Sequence, residues 1–256
     1  MPTYSKVVSA IRQIDTAHVF IGGTRKDITS GWTFVNGVRK QVFPSTENYT
    51  KVYEKNSSGI YSTLLSWGKY KIVISGAGGG GGASSATHSD YRNWANAGSA
   101  GQEITVYVDV PSGETKTVSG ILGQGGRSSY ASARYSVTAG AGGTGYINGT
   151  NGNIKTMNIP WQGIGDSSCA AGGAGGGSSS LEIDGVLNSV AAGGNGGASD
   201  ADELYPTTPG VGGSGGTTTG TGAAGGAGAF GYKKAATSGA GTDGYIHVYK
   251  SNIYPA

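Results

Sequence analysis

Short stretches with apolar residues at every second position alternate along this chain with runs rich in glycine. In residues 104–110, isoleucine and valine occupy every second position, which is the period of a β-strand with one buried face. Residues 103–110 and 114–122 therefore predict two strands, joined as a hairpin by Pro111-Ser112-Gly113. Further strands are predicted at residues 51–53, 61–65, 69–75 and 244–250, and a hairpin is predicted around Asp184-Gly185. In the last strand, Ile246 and Val248 are expected on one face, and Tyr245, His247 and Tyr249 on the other.

An internal repeat near the N-terminus predicts two more β-hairpins. Residues 19–26 align with residues 33–40. Gly22-Gly23 and Asn36-Gly37 are dipeptides of the kind that form type I′ turns between two strands. An isolated hairpin is only marginally stable in water, so the pair is expected to pack on a larger host. We interpret the hairpins as an anchor; the alternative is that they form the first sheet of the main domain.

The glycine runs keep a register of three residues. Four of them repeat one variable residue followed by two glycines, at 171–177, 192–198, 211–217 and 224–227, and two more are glycine-dense, at 76–82 and 139–145. A polyproline II helix repeats every three residues, rises about 3.1 Å per residue and has no internal hydrogen bonds. In such a helix the glycines leave two faces bare, so neighbouring backbones can approach and exchange hydrogen bonds.

Glycine-rich and serine-rich sequence is more usually a flexible linker. Here the triplet register, the alternation with predicted strands and the 15 tyrosines available for burial favour an ordered structure. The predicted fold is mainly β with a bundle of short polyglycine II helices and little α-helix. Its predicted parts are a hairpin anchor over residues 1–45, a connector over 46–63 and a glycine-rich domain over 64–256. The glycines expected to pack inside the bundle are Gly193, Gly194, Gly196, Gly197, Gly212, Gly213, Gly215 and Gly216.

Composition excludes several classes of function. Charged residues make up 13% of the chain and the net charge is +3, which is too mild to indicate a nucleic-acid partner. The single cysteine excludes an intrachain disulfide and leaves no zinc-binding spacing. The N-terminus does not resemble a secretory signal, and no apolar run approaches the roughly 18 residues of a membrane span.

Candidate chemistry is scarce. None of the three histidines stands beside a nucleophile in the sequence, so we expect no enzyme activity, no cofactor and no metal. Asp200, Asp202 and Glu203 lack the ligand spacing and central glycine of a calcium loop, and we interpret them as a solvated acidic loop. Cys169 follows two serines and precedes two alanines, and it is expected to be a small buried apolar residue.

The large side chains collect in four predicted loops, at residues 84–96, 127–138, 146–169 and 199–209. Loops on a rigid scaffold often carry recognition, and aromatic residues give contact area at a low entropic cost. Aromatic faces beside Asn, Asp and Arg would suit a surface glycan. As an alternative, Trp94 and Trp161 cap the bundle against the strands. The residues expected to bind a partner are Tyr91, Arg92, Trp94, Tyr130, Arg134, Tyr135, Trp161, Asp202 and Tyr205.

Two parts of the chain resemble segments of bacteriophage proteins. Residues 34–40, and more loosely residues 20–26, resemble the tandem Y-V-G-V-(D/N)-G-V-A-R-K segments in tail proteins of phages of Gram-positive bacteria, although the alanine before arginine is missing. Residues 64–250 resemble the glycine-rich domain of phage tail fibres and adhesins. Four landmarks carry this second resemblance, in the family's order: Ile74-Ser75-Gly76-Ala77-Gly78-Gly79-Gly80, Leu122-Gly123-Gln124-Gly125-Gly126, Ala191-Ala192-Gly193-Gly194-Asn195-Gly196-Gly197 and Gly241-Thr242-Asp243-Gly244-Tyr245-Ile246.

The resemblance implies a virion protein of the tail fibre or tail tip, made in the host cytoplasm without a signal peptide. We expect a non-enzymatic, receptor-binding adhesin, present in multiple copies, whose partners are other tail proteins and a bacterial surface receptor, with no nucleic acid and no membrane insertion. The alternative is a purely structural baseplate, tail or capsid-decoration protein whose loops contact neighbouring subunits. An ice-binding bundle is disfavoured, because long aromatic loops spoil a flat face. The residues expected to attach the chain to the virion are Phe20, Arg25, Lys26, Phe34, Arg39 and Lys40.

Overall fold

A computed structural model of the chain describes residues 17–21, 24–28, 31–35, 38–43, 47–86, 92–132, 136–158, 167–202, 222–232 and 234–252. The regular structure in these residues consists of β-strands, and none of it is a helix that could cross a membrane. In chain order the strands are β1 (Ala17–Ile21), β2 (Thr24–Ile28), β3 (Gly31–Val35), β4 (Val38–Phe43), β5 (Tyr49–Lys55), β6 (Gly59–Ser75), β7 (Ala83–Ala86), β8 (Arg92–Ala95), β9 (Glu103–Leu122), β10 (Tyr130–Ser132), β11 (Ser136–Thr138), β12 (Ile154–Asn158), β13 (Ser167–Ala171), β14 (Ser179–Ile183), β15 (Val186–Ala191), β16 (Ser199–Asp202), β17 (Ala229–Tyr232), β18 (Ala236–Thr237) and β19 (Tyr245–Ser251).

The two predicted N-terminal hairpins are confirmed. Strand β1 pairs with β2, and β3 pairs with β4, each as a separate two-stranded antiparallel sheet. The pairs closest to the turns are Ile21 with Thr24 and Val35 with Val38, which is the register of a two-residue loop. In the described part of the chain, neither hairpin joins a larger sheet, so the alternative that they begin the main sheet is not seen.

A six-stranded sheet, which we name the base, has the strand order β15-β14-β9-β6-β19-β5. Both ends of β6 lie next to glycine-rich segments. Ser75 is followed directly by the segment that begins at Gly76, and Gly59 pairs with Leu122, which is followed directly by the segment that begins at Gly123. Strand β6 therefore runs away from these segments and returns to them. Its register with β9 shifts between Ser66 and Gly68, where the strand turns back. The sheet is thus folded into two layers.

The predicted hairpin at residues 103–122 is wrong. Both of its halves belong to β9, which pairs along β6 from Glu103 opposite Ser75 to Leu122 opposite Gly59. Pro111-Ser112-Gly113 bulges out at the corner between the two layers, and the halves on either side of it pair with β6 and not with each other. The local sequence cannot separate these outcomes, because a bulged corner and a hairpin turn both favour proline and glycine.

The base also includes residues of the predicted connector, 46–63. Strand β5 pairs with β19, and residues 59–66 of β6 pair with β9, so the sheet begins before residue 64. The short strands predicted at 51–53 and 61–65 are confirmed as parts of β5 and β6. The predicted hairpin around Asp184-Gly185 is also confirmed; both residues have positive φ, 53° and 76°, as a type I′ turn requires.

A single hydrophobic core lies between the two layers of the base. Tyr61 and Leu65 come from one layer, and Ile72 and Ile74 come from the other. On β19 the prediction of alternating faces is confirmed for the apolar side, since Ile246 and Val248 are fully buried in this core. Full burial of such side chains contributes about 1.5–3 kcal/mol each. The core makes the base a rigid support for the segments that leave it.

Extended segments of seven residues connect the base to a second group of strands, and together we name them the glycine bundle. Their backbone groups bond to neighbouring segments at every third residue. One ladder shows this period: Gly76, Gly79 and Gly82 donate N–H groups to the carbonyl oxygens of Gln102, Ser99 and Asn96. Among the described residues the segments are 76–82, 96–102, 123–129, 139–145, 147–153, 172–178, 192–198, 222–228 and 238–244.

Segment 76–82 is surrounded by other segments on all sides. It donates hydrogen bonds to three antiparallel neighbours, which are 96–102, 172–178 and 238–244. It accepts hydrogen bonds from three parallel neighbours, which are 123–129, 192–198 and 222–228. These neighbours also bond to one another in a closed ring, in the order 96–102, 192–198, 172–178, 123–129, 238–244 and 222–228. Donor and acceptor neighbours alternate around the central segment, which gives hexagonal packing.

The number of neighbours explains where glycine is needed. In the central segment only Ala77 carries a side chain, since a Cβ placed on Gly79 would lie 2.0 Å from the carbonyl oxygen of Asn195. In the peripheral segment 147–153, only Gly149 and Gly152 are glycines, and exposed side chains occupy most other positions. Glycine content therefore falls from the centre of the bundle to its surface.

Three small sheets cover the end of the bundle that faces away from the base, and we name this end the tip. Their strand orders are β12-β13-β7-β17, β16-β8 and β11-β10-β18. A small core of Ala83, Ala131, Cys169 and Ala236 lies between the first and third sheets. Cys169 is 3% exposed, so its predicted burial is confirmed.

Candidate binding surface at the tip

The direction of the bundle segments decides where the connections between them lie. Segments that run up from the base enter tip strands, and those that return leave tip strands, so β7–β8, β10–β11, β12–β13 and β17–β18 are all joined at the tip. Strand β16 also ends there. All four predicted loops thus reach this end of the bundle. They are not loops throughout, because tip strands lie inside each range and residues 147–153 of the loop predicted at 146–169 form a bundle segment. The predicted residues Tyr91, Arg134, Tyr135, Trp161 and Tyr205, and the glycines Gly212, Gly213, Gly215 and Gly216, lie outside the described residues.

The structure places four of the predicted site residues on tip strands. Trp94 lies in β8 with 37% of its surface exposed, and Tyr130 lies half-buried in β10. Arg92 and Asp202 are directly opposite each other in the pair formed by β8 and β16. Tyr130 is on the other side of the tip, opposite Thr237 of β18. The predicted residues are therefore brought to one end of the molecule but not to one patch.

Phe230 is an exposed tip residue that the sequence reasoning missed. It lies in β17, opposite Ser84 of β7, and 70% of its surface is exposed. Gly98 donates to Gly226 at 2.9 Å, and the same antiparallel course of these two segments continues into β8 and β17. This antiparallel register, extended by four residues, places Trp94 and Phe230 at the same height along the bundle axis. The signal in the sequence was an aromatic residue placed two positions after a glycine run, where the side chain must leave the bundle.

Asp200 is not part of a solvated acidic loop, which corrects the prediction. It lies in β16 directly opposite Trp94, and only 3% of its surface is exposed. The hydroxyls of Ser84, Ser168 and Ser199 are also buried, without hydrogen-bond partners in the described part of the chain. Asp200 and these hydroxyls therefore make part of the tip interior polar, although Trp94 and Phe230 at its surface are aromatic.

The outer face of the base carries a second group of aromatic side chains. Tyr245 and His247 stack with ring centroids 4.7 Å apart, and the Tyr245 hydroxyl donates to Glu103. Burial lowers the pKa of His247, and the nearby Lys51 lowers it further. Each ring covers one face of the other, and both side chains are partly buried, so they offer a ligand less flat surface than Phe230 does. Trp94 and Phe230 at the tip are the better candidates for contact.

Asp243 fastens the base to the bundle. Its Oδ2 accepts the N–H of Ser58, which precedes β6, and its Oδ1 accepts the N–H of Gly125 in segment 123–129, both at 2.9 Å. Burial alone would raise the pKa of this carboxyl, but the two N–H donors hold the pKa below its ordinary value. A negative charge at residue 243 therefore stabilises the junction that fixes the direction of the tip.

The groups available for chemistry are few in the residues that the structure describes. No group of three or more His, Cys, Asp or Glu side chains there is arranged to hold a metal ion. Trp94 and Phe230 offer apolar contact area, which supports binding of a partner. A scan against models of protein families and a search of curated proteins both find no match to this chain. Function is therefore inferred from the chain's own residues and geometry, together with the resemblance that its glycine landmarks carry.

Proposed function

We propose that this chain is a non-enzymatic adhesin of a phage tail fibre or tail tip, which binds a host surface receptor, a glycan, through its tip. The observation that carries the proposal is that the two ends of the molecule differ. The connections between tip strands and the exposed Trp94 and Phe230 lie at one end, on a support fixed by two cores and a hydrogen-bonded bundle. Recognition by loops held on a rigid scaffold has this arrangement.

The bundle segments fit polyglycine II helices. They are seven residues long, their hydrogen bonds go to other segments, and partners recur with a period of three. Such a helix rises about 3.1 Å per residue, so each segment would hold the tip roughly 20 Å from the base. The backbone bonds in three directions resist bending better than a single strand could. The proposed role of the bundle is to present the tip without touching the receptor itself.

The hairpins β1–β4, which we propose attach the chain to the virion, precede the end of the base that lies opposite the tip. Lys55 pairs with Ile246 near the bundle, whereas Tyr49 pairs with Ser251 at the end of the base that is farthest from it. The chain therefore passes from β4 into the base on the side away from the tip. Attachment through β1–β4, which carry Phe20, Arg25, Lys26, Phe34, Arg39 and Lys40, would direct the tip outward from the virion.

Binding of the purified full-length chain to host cells tests the proposal. The chain should bind cells and block adsorption of the phage, and the double variant Trp94→Ala/Phe230→Ala should bind about tenfold more weakly or worse, as expected for exposed aromatic anchors. Tyr107→Ala is the matched control, since Tyr107 is 66% exposed on the base. A chain that neither binds nor competes would favour the structural alternative.

The structural alternative has one observation in its favour. Ile60 and Leu64 are 78% and 65% exposed on the base, which suits packing against another subunit. Copy number in the virion separates the two functions. A handful of copies at the tail tip supports adhesion, whereas hundreds of copies on the capsid support decoration.

A further inference from the structure

One stretch of β6 forms an open edge of the base. In the layer β15-β14-β9-β6, residues 59–66 pair with β9 on one side, and no strand of the described residues pairs with them on the other. This stretch, Gly-Ile-Tyr-Ser-Thr-Leu-Leu-Ser, has no charged residue. Soluble proteins usually protect an edge with charges, proline or a bulge, because its free N–H and C=O groups can pair with another strand.

The direction of the free backbone groups is visible from one contact. Lys55 Nζ donates to the carbonyl oxygen of Ile60 at 2.8 Å, so this oxygen points away from β9 and toward the open side. In an antiparallel sheet, alternate residues direct their backbone groups to the same side. Ser62 and Leu64 therefore also present their N–H and C=O groups at the open edge. The Tyr70 hydroxyl donates to the Ser66 carbonyl oxygen and closes the far end.

We propose that two copies of this chain pair through this edge, antiparallel, about a two-fold axis at Ser62. In this register Ser62 is opposite Ser62 of the second copy, and Ile60 is opposite Leu64 of the second copy. Residues directly opposite each other share a face of the sheet. Both exposed apolar side chains would thus be covered at once, on the outer face of one continuous sheet.

The sequence of the edge selects a second copy over another partner. Ile60 and Leu64 are equally spaced on either side of Ser62, so the strand is complementary to itself when it is reversed. The outer edge of the opposite layer, β5, instead contains Lys51, Glu54 and Lys55, which oppose such pairing. Because the paired strands are antiparallel, the two tips of this dimer point in opposite directions. The dimer is therefore proposed for the free chain in solution, since two copies attached to one virion with both tips outward could not pair in this way. This inference concerns the base alone and does not depend on the receptor proposed above.

The mass of the full-length chain in solution, measured by light scattering over a range of concentrations, tests the pairing. We expect a species of twice the 25.5 kDa chain mass. Leu64→Lys, which charges the edge, and Ser62→Pro, which removes an N–H that faces the open side, should give monomers. These monomers should still unfold cooperatively, at a melting temperature that no longer rises with protein concentration. Leu187→Lys is the matched control, since Leu187 is 46% exposed on β15 and should leave the dimer intact. Lys55→Gln should strengthen the dimer by freeing the Ile60 carbonyl oxygen.

A disulfide probe reports the register itself. Hydrogen-bonded antiparallel pairs have Cα atoms about 5.5 Å apart, within the range that a disulfide spans. Ser62→Cys should therefore form a covalent dimer on mild oxidation, faster than the exposed control Ser66→Cys; the native Cys169 is buried. A monomeric wild-type chain at all concentrations, a dimer that persists in Leu64→Lys, or equal cross-linking at positions 62 and 66 would each overturn the proposal.

Discussion

A methyl group on Gly196 would lie 2.1 Å from the carbonyl oxygen of Gly173 in the neighbouring segment of the bundle. Both sides of this approach are backbone, so neither can move without breaking the ladder in which Gly173 donates to Gly197 at 2.8 Å. Gly196→Ala should therefore destabilise the chain by roughly 3 kcal/mol or more, at the upper end for overpacking. Thermal and urea unfolding measure the loss.

The same substitution has the opposite effect in a flexible linker. There, alanine reduces the entropy of the unfolded chain and leaves stability unchanged or slightly raised. Ala227→Ser is a matched control, because Ala227 occupies an exposed, variable position of a triplet in segment 222–228. A Gly196→Ala chain that melts with the wild type would exclude the packed bundle.

Circular dichroism of the full-length chain should show no helical minima. The described residues contain strands and extended segments, so we expect a weak β-sheet signal with a polyproline-like component from the glycine bundle. That component should disappear together with the sheet signal when the chain is heated, because the segments are bonded to one another and anchored in the base. Strong minima at the wavelengths of an α-helix would contradict the fold.

Sequence reasoning identified the bundle where glycine is abundant and missed it where glycine is sparse. Segment 192–198 keeps a clean triplet register because it bonds to the central segment on one side and to neighbours on two others. Segment 147–153 bonds to only two segments among those described, so glycine is required at Gly149 and Gly152 alone. The register thus reports how crowded a segment is, and a peripheral segment is not recognisable from its own residues.

The tip shows a similar limit. The placement of Trp94 beyond the bundle followed from its position between glycine runs, but Phe230, which lies at the same level, is 136 residues away in the chain. Only the antiparallel course of segments 96–102 and 222–228 brings the two level. Asp200 was misassigned for the same reason, since its pairing with Trp94 of β8 is not indicated by the acidic residues beside it in the chain. Local patterns located the end that carries the site but not the residues that share it.

The thiol of Cys169 should be unreactive in the folded chain. Burial raises its pKa to about 11, although a backbone hydrogen bond from Ser132 opposes the shift. At pH 8 only about 0.1% of the thiol would be the reactive thiolate. A thiol reagent should label the native chain far more slowly than the urea-unfolded chain. Rapid labelling without denaturant would mean that the tip core between β7, β10 and β13 opens readily.

Asp243 should make the junction between base and bundle sensitive to acid. Its pKa is held low in the folded chain, so its contribution to stability is fully present above the unfolded pKa of about 3.9 and is lost as the pH falls through the folded value. Asp243→Asn should lower the free energy of unfolding at pH 7 by about 1.5–3 kcal/mol, the range for a hydrogen bond to a charged group. Urea unfolding at a series of pH values should show this difference narrowing below about pH 4, because the wild-type carboxyl then becomes protonated. Asp109→Asn, a change of the same charge at an exposed position of β9, should have little effect at any pH. A difference between Asp243→Asn and wild type that stayed constant into acid would mean that the carboxylate charge does not stabilise the junction.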